Sequence, residues 1–292
     1  MIAAIQALPN GVAALRPLHS SDIPAALYLG WQEGWNQTET DWARFLSLPP
    51  RRALAISVNG ALVATATTAL FGPVGWVGMV VVAPNFRGQG LGRAIVWSAV
   101  QALWEAGART VKLDATPLGQ PLYARLGFTA TFKLHRYRGV ATPQPFEGVT
   151  PINAEPELFA RACALDRLAY GVDRSALLRA LAADFPSLAA YCEAPGAGCG
   201  YVLGRHGRRF CLIGPLVATT PRVARNLLAW AFSSLSGQAV AFDCPEPNAE
   251  ANGLALELGL EPTRSFTRMY LGQEPYSEDT GLIYATSGAE KG

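Results

Sequence analysis

Val80–Val96 reads VVVAPNFRGQGLGRAIV. An apolar run ends at Pro84, a basic glycine-rich stretch follows from Arg87 to Gly92, and an apolar-rich segment resumes beyond it. The pattern predicts a buried strand, a loop and a helix. Glycine lets backbone approach a ligand closely and permits positive φ. The unpaired N–H groups of a helix start favour an anion. Together these features describe a cradle for a pyrophosphate; the plainer alternative is a turn that only joins strand to helix. A dinucleotide fingerprint is excluded because GQGLGR lacks the GxGxxG spacing, and a P-loop because no Lys-Ser/Thr pair follows.

Outward from this loop, the chain repeats itself. VKLDATPLGQPLYARLGFTATFKLHRYRG (Val111–Gly139) resembles VAFDCPEPNAEANGLALELGLEPTRSFTRMYLG (Val240–Gly272). Each segment has a strand ending in Asp (Asp114, Asp243), a Pro-bearing loop, a helical stretch closing on Leu-Gly (Gly127, Gly259) and a strand carrying Arg136 or Arg268. Nine positions separate Gly127 from Arg136, and nine separate Gly259 from Arg268. Upstream, VGMVVVAP around Gly78 matches IGPLVATT around Gly214. Two copies of one α/β unit are expected, residues 1–140 and 141–292, joined through the Pro- and Gly-rich GVATPQPFEGVTP. In the first copy the pattern predicts strands at Ala13–Pro17, Leu54–Val58, Leu62–Ala69, Gly75–Val82, Arg109–Asp114 and Thr129–Arg138. Helices are expected at Asp22–Glu33, Thr40–Leu48, Gly92–Ala106 and Gln120–Leu126, and Asn59-Gly60 is a hairpin turn. In the second copy a helix is expected to start at Asp173. That copy is seven positions shorter where the first has its glycine loop, and ATTPRVARNLL offers an ordinary capped helix start instead.

Composition narrows the function. The 292 residues are 50% hydrophobic and 16% charged, with 24 basic and 22 acidic side chains and a net charge of +2, so nothing points to nucleic acid or a membrane surface. The opening residues lack the basic n-region of a secretory signal. Five cysteines without close pairs fit reduced thiols, and a cytoplasmic location is expected. Three scattered histidines and no CxxC or HExxH predict no metal site.

The loop resembles that of the Gcn5-related N-acetyltransferases, whose acyl-CoA pattern R/Q-x-x-G-x-G/A is matched by Arg87, Gly90 and Gly92 after Val82-Ala83-Pro84. PLYARLGF (Pro121–Phe128) resembles the family's LYxxxGF segment, and the second half resembles the degenerate C-terminal domain of tandem members. The resemblance implies a mixed, mostly antiparallel sheet flanked by helices in each copy. It also implies acetyl-CoA as co-substrate and direct attack by an amine on the thioester. The implied cofactor contacts are Val80, Val81, Val82, Arg87, Gly88, Gln89, Gly90, Leu91, Gly92, Arg93 and Thr116, the last standing where the family commonly has Asn. Tyr123 is the implied acid for the leaving thiolate, and a backbone N–H within Val80–Val82 is the implied donor to the carbonyl oxygen.

The acceptor is expected to be a small-molecule amine, with Glu33, Trp35, Asn36 and Asp173 as candidate contacts. Glu33, Glu39, Asp41, Asp166 and Asp173 are the candidate bases, each with an ordinary structural reading beside it: helix cap, first-turn charge or solvated side chain. Two rival functions stay open on sequence alone, a non-catalytic acyl-CoA-binding module and a protein-lysine acetyltransferase.

Overall fold

The structure is a computed structural model and describes residues 3–8, 11–194, 196, 198–273 and 278–292. The chain begins with β1 (Ala3–Leu8), β2 (Gly11–Pro17), α1 (Ile23–Gln32), α2 (Glu39–Ser47), β3 (Leu54–Val58), β4 (Ala61–Phe71), β5 (Val74–Val82), α3 (Leu91–Glu105), β6 (Thr110–Ala115), α4 (Gln120–Arg125) and β7 (Thr129–Val140). It continues with β8 (Val149–Pro151), α5 (Pro156–Tyr170), α6 (Ser175–Asp184), β9 (Ala190–Ala194), β10 (Gly198–Arg205), β11 (Cys211–Ala218), α7 (Pro221–Ser234), β12 (Ala239–Pro245), α8 (Ala249–Glu257), β13 (Glu261–Gly272) and β14 (Ile283–Ala285). From β2 to β7 and from β8 to β13 the order of elements is the same. The Asn59-Gly60 turn is formed with φ of 51° and 82°, the type I′ geometry that matches strand twist. Two expectations at element starts shift. The short edge strand β1 was not foreseen. Helix α6 begins at Ser175 because the Asp173 carboxylate first accepts a hydrogen bond from Ser175 N at 2.9 Å, a local turn that precedes the helix.

All these strands join one sheet, ordered β1-β2-β3-β4-β5-β6-β13-β7-β12-β11-β10-β9-β8, with β14 added against β11. The last strand of each copy is thus exchanged. β13 lies between β6 and β7, and β7 pairs with β12. The repeated Asp and Arg positions then meet across copies rather than within them. Arg136 holds Asp243 through two hydrogen bonds of 2.6 and 2.7 Å, and Arg268 holds Asp114 at 2.8 and 2.9 Å. Glu278 completes the second cluster, 2.5 Å from Arg268 and 2.7 Å from Lys112.

Alternation along the strands places helices on both faces. Val74 and Trp76 point into a core shared by α1, α2, α5 and α6, whereas Val77 points toward α3. The α1/α2/α5/α6 core therefore spans both copies, while α3 covers the first and α7 the second.

Candidate active site

The site begins where two parallel strands part. β5 and β6 are paired only at Val74/Thr110, Gly75/Val111 and Trp76/Lys112. Beyond Trp76, among the described residues, no strand pairs with β5 on this side. Alternate N–H and C=O groups of residues 77–82 therefore face open space rather than a ladder. Met79, at φ +51°, makes a bulge here; the register against β4 shifts between Thr65 and Thr67, and Thr65 Oγ1 donates to Met79 O at 2.7 Å. A non-glycine residue in the left-handed region is uncommon, and inside a strand it re-aims the backbone next to it.

A cavity of about 1000 Å³ opens at this splay. At one end lie Arg87, Gly88, Gly90 and the first turn of α3. Gly88 and Gly90 have φ of 74° and 81°, and space is open where a Gly88 Cβ would stand. Gly90 caps α3, so unpaired N–H groups of the helix face the cavity beside bare backbone. Arg93 lines it without a carboxylate partner among the described residues. Arg87 is pinned, with Nε donating to Val82 O at 2.9 Å and Nη2 lying 2.5 Å from Glu33. Gln89 does not line the cavity; its side chain turns back to Asn85 O at 3.2 Å. Val80, Val81, Val82, Leu91, Gly92 and Thr116 do line it. The Thr116 hydroxyl is already used, accepting from Gly119 N at 3.2 Å ahead of α4.

Tyr123, on the short helix α4, lines the same cavity. Its ring packs edge-on against Phe128, centroids 5.9 Å apart, and its hydroxyl has no hydrogen-bond partner among the described residues. Burial pushes the phenol well above its ordinary range, so it keeps its proton at neutral pH.

The acceptor candidates separate. Glu33, Trp35 and Asn36 reach the cavity wall, but Asn36 spends its side chain on structure. Its Nδ2 donates to Phe210 O at 2.9 Å, and its Oδ1 accepts from Arg209 N at 2.7 Å and Phe210 N at 3.2 Å. It clamps the β10–β11 turn of the second copy onto the first. Glu33 is the ion-pair partner of Arg87 rather than a solvated side chain. Asp173 stays outside the cavity, exposed and 3.0 Å from Arg167. Asp166 is buried against Arg174 and the Tyr201 hydroxyl, and Asp41 against Arg44 and Arg205. Burial works against the Asp41 charge, yet Arg205, Lys291 and Arg44 hold its carboxyl below the ordinary range. Asp114 offers the cavity only its main chain, since its carboxylate is wholly buried on Arg268.

Sequence reasoning missed the opposite wall. It is built from Arg136 and Arg138 on β7, Arg209 and Phe210 on the β10–β11 turn, Arg264 and Phe266 on β13, and Ala289 and Glu290. The runs GRHGRRF and HRYRG were the available signal.

In the second copy the matching gap is filled among the described residues. β11 and β12 also part early, paired only at Cys211/Val240 and Leu212/Ala241. There β14 enters the gap, with Ala285 opposite Leu216 and Ile283 opposite Val217; Ala218 N donates to Leu282 O at 3.0 Å, and Thr286 N to Asp243 O at 3.0 Å. Where a glycine loop would stand, Thr220 caps α7 by accepting from Val223 N at 3.4 Å. Among the described residues, no helix is long and apolar enough to cross a membrane, and no cluster of His, Cys, Asp and Glu is placed to hold a metal ion.

This geometry has relatives. Residues 15–128 match the family described as "Acetyltransferase (GNAT) family", and residues 162–285 match "Acetyltransferase (GNAT) domain". An uncharacterized N-acetyltransferase of Bacillus subtilis (strain 168), YitH, is 26% identical over 259 residues, which cover 85% of this chain and 88% of the relative. A solved putative acetyltransferase from Pyrococcus horikoshii superposes with a TM-score of 0.83 at 23% identity, covering 99% of this chain and 98% of that one. A GCN5-related N-acetyltransferase from Sphaerobacter thermophilus does so with a TM-score of 0.67 at 16% identity, covering 94% and 99%. These two structures share the fold. The chain belongs to the GNAT acetyltransferases as a tandem member, and it is an acyltransferase.

Proposed function

We propose that the first copy binds acetyl-CoA and passes its acetyl group to a primary amine of a small molecule, with the second copy walling the acceptor site. The observation that carries this reading is the single cavity joining the Arg87–Gly92 cradle, the unpaired edge of β5, the Tyr123 hydroxyl and a wall from the second copy. The cradle and Arg93 take the pyrophosphate, and the pantetheine lies along the parted β5 and β6. The thioester carbonyl meets an N–H within Val80–Val82, a donor fixed before the charge develops. The amine nitrogen attacks the carbonyl carbon, the C–S bond breaks, and the thiolate takes its proton from Tyr123. The carboxylates of Glu33 and Glu290 are both engaged by cations. The proton lost by the incoming ammonium therefore goes to solvent through the open cavity.

The test is calorimetric titration with acetyl-CoA, followed by CoA thiol release with amine acceptors. One acetyl-CoA per chain and amine-dependent thiol release are expected. A stoichiometry of two, or binding that survives disruption of Gly90, overturns the assignment to the first copy. Binding without thiol release for any amine reduces the protein to a binding module.

A further inference from the structure

The acceptor end of the cavity holds a charge imbalance that the reaction does not need. Seven arginines line the whole cavity against two carboxylate side chains, those of Glu33 and Glu290, in a chain whose net charge is only +2. Arg87, Arg93 and Arg125 stand on the glycine loop, α3 and α4, at the end proposed for the CoA phosphates. Arg136 is neutralised by Asp243. Arg138, Arg209 and Arg264 remain. None has an ion-pair partner among the described residues, and Arg209 makes only a main-chain contact, Nη1 to Gly34 O at 3.3 Å. Glu261, which faces Arg138 in the β7–β13 register, is exposed and not paired with it.

Like charges this close repel, and free side chains would spread into solvent. Here they are held. Arg138 lies 4.5 Å from the Phe210 ring centroid, and Arg264 lies 5.9 Å from that of Phe266. Arg136 reaches over both rings, at 5.7 and 4.9 Å. Stacking on aromatic faces orients a guanidinium while leaving its N–H edge for a planar or tetrahedral oxyanion. Desolvation, then repulsion from neighbouring arginines, holds both Arg138 and Arg264 below the ordinary arginine range. An incoming anion relieves that repulsion.

We infer that the acceptor is an amine that also carries an oxyanion, carboxylate or phosphate, bound by Arg138, Arg209 and Arg264. The inference rests on the function proposed above and names the substrate class of that site. The three arginines come from β7, the β10–β11 turn and β13, so they bind this group only because the exchanged strands bring both copies together.

The experiment uses acetyl-CoA-saturated full-length protein and matched amines: O-phosphoethanolamine against ethanolamine, glucosamine 6-phosphate against glucosamine, and glutamate against glutamine. In at least one pair the acidic member is expected to have a kcat/KM about tenfold or more higher, and which pair responds tells phosphate from carboxylate. Paired Arg138→Glu and Arg264→Glu changes should erase that ratio while acetyl-CoA affinity stays within about twofold. Phosphate and citrate binding, measured by calorimetry on the same loaded protein, gives a readout that does not depend on guessing the acceptor. Both ions should bind wild type and lose about tenfold or more in the variant. Equal or better turnover of every neutral member overturns the inference. So does the failure of both ions to distinguish wild type from variant, or a parallel loss of acetyl-CoA affinity, which would give the arginines to the cofactor. If wild type does not bind acetyl-CoA at all, the proposed function itself falls, and that result is read separately.

Discussion

Asn36→Ala tests whether the second copy's turn is positioned from the first. Asn36 is 4% exposed and makes three hydrogen bonds to the main chain of Arg209 and Phe210, with Phe210 itself buried. Each such bond contributes about 1 kcal/mol net, and a buried donor left unpaired costs roughly 1–3 kcal/mol. The Arg209 amide lies at the turn's exposed side and can recover water, whereas the Phe210 amide and carbonyl are less able to. The sum is a destabilisation of about 2–3 kcal/mol, or about 3–5 °C in Tm for a chain of this size. Hydrogen exchange reads the cause directly. The Arg209 and Phe210 amides donate to Asn36 Oδ1, so in the variant they should lose roughly two orders of magnitude of protection, 2.7 kcal/mol in local opening. The α3 amides of the first copy should keep theirs, and acetyl-CoA affinity should stay unchanged. A Tm within 1 °C of wild type, with turn amides still protected, would refute the clamp and leave Asn36 free to contact substrate.

Tyr123→Phe keeps the packing on Phe128 and removes a hydroxyl that has no hydrogen-bond partner among the described residues. Stability and acetyl-CoA affinity should hold while kcat falls by about 10²-fold or more; kcat within threefold of wild type, with chemistry limiting, rejects the acid role. Gly90→Val puts a β-branched residue at φ +81° in the cradle and should weaken acetyl-CoA binding at least tenfold, about 1.4 kcal/mol, by calorimetry on folded protein. Glu278 is held down to about 2 from its ordinary 4.5; burial opposes its charge, but Arg268 and Lys112 outweigh it. Its lowered pKa supplies stability that is full above pH 4.5 and lost as pH falls through about 2. Glu278→Gln should therefore cost about 3 kcal/mol at pH 7 in chemical denaturation, a deficit that narrows below pH 4.5; a deficit independent of pH would contradict the pairing.

The glycine-loop end of the cavity was legible because its signals are local. RGQGLG and LYARLGF each sit within one turn and one helix, and the repeat showed in its spacings. The exchange of β7 and β13 was not legible. Arg136 faces a choice between Asp114 and Asp243, and the sequence context around the two is nearly the same. Only the closed sheet decides that each arginine takes the other copy's carboxylate. The carboxylates named near the acceptor were ambiguous in sequence for a related reason. Asp41, Asp166 and Glu33 are polar residues near apolar segments, which reads equally as site or as ion pair; the arginines that claim them lie far away in sequence, in the case of Asp166 eight residues on across a helix boundary, or, for Asp41, partly one helical turn on. The arginine wall draws on Arg138, Arg209 and Arg264, which no local pattern connects.

The two copies differ in a way that backbone hydrogen bonding explains. Both have a parallel strand pair that parts after two or three residues, and parting exposes main-chain N–H and C=O groups that a buried site must satisfy. In the first copy Val80 and Val81 line the cavity. At the matching positions of the second, Leu216 and Val217, β14 supplies the partners from the chain itself. Ile283, Tyr284 and Ala285 are each at most 3% exposed there, so expelling β14 to admit a pantetheine would uncover apolar side chains as well as break a ladder. The loss of the glycine loop and the filling of the gap then belong together: without bare backbone at the start of α7 there is no seat for a pyrophosphate, and a gap with no ligand is stable only if protein fills it. The filling segment does not stop in the second copy. Beyond β14 it passes to β5, where Glu290 O would lie 2.5 Å from a Cβ on Gly78, and Ala289 and Glu290 close the far side of the first cavity. The stretch of chain that closes the second site thereby becomes part of the wall of the first.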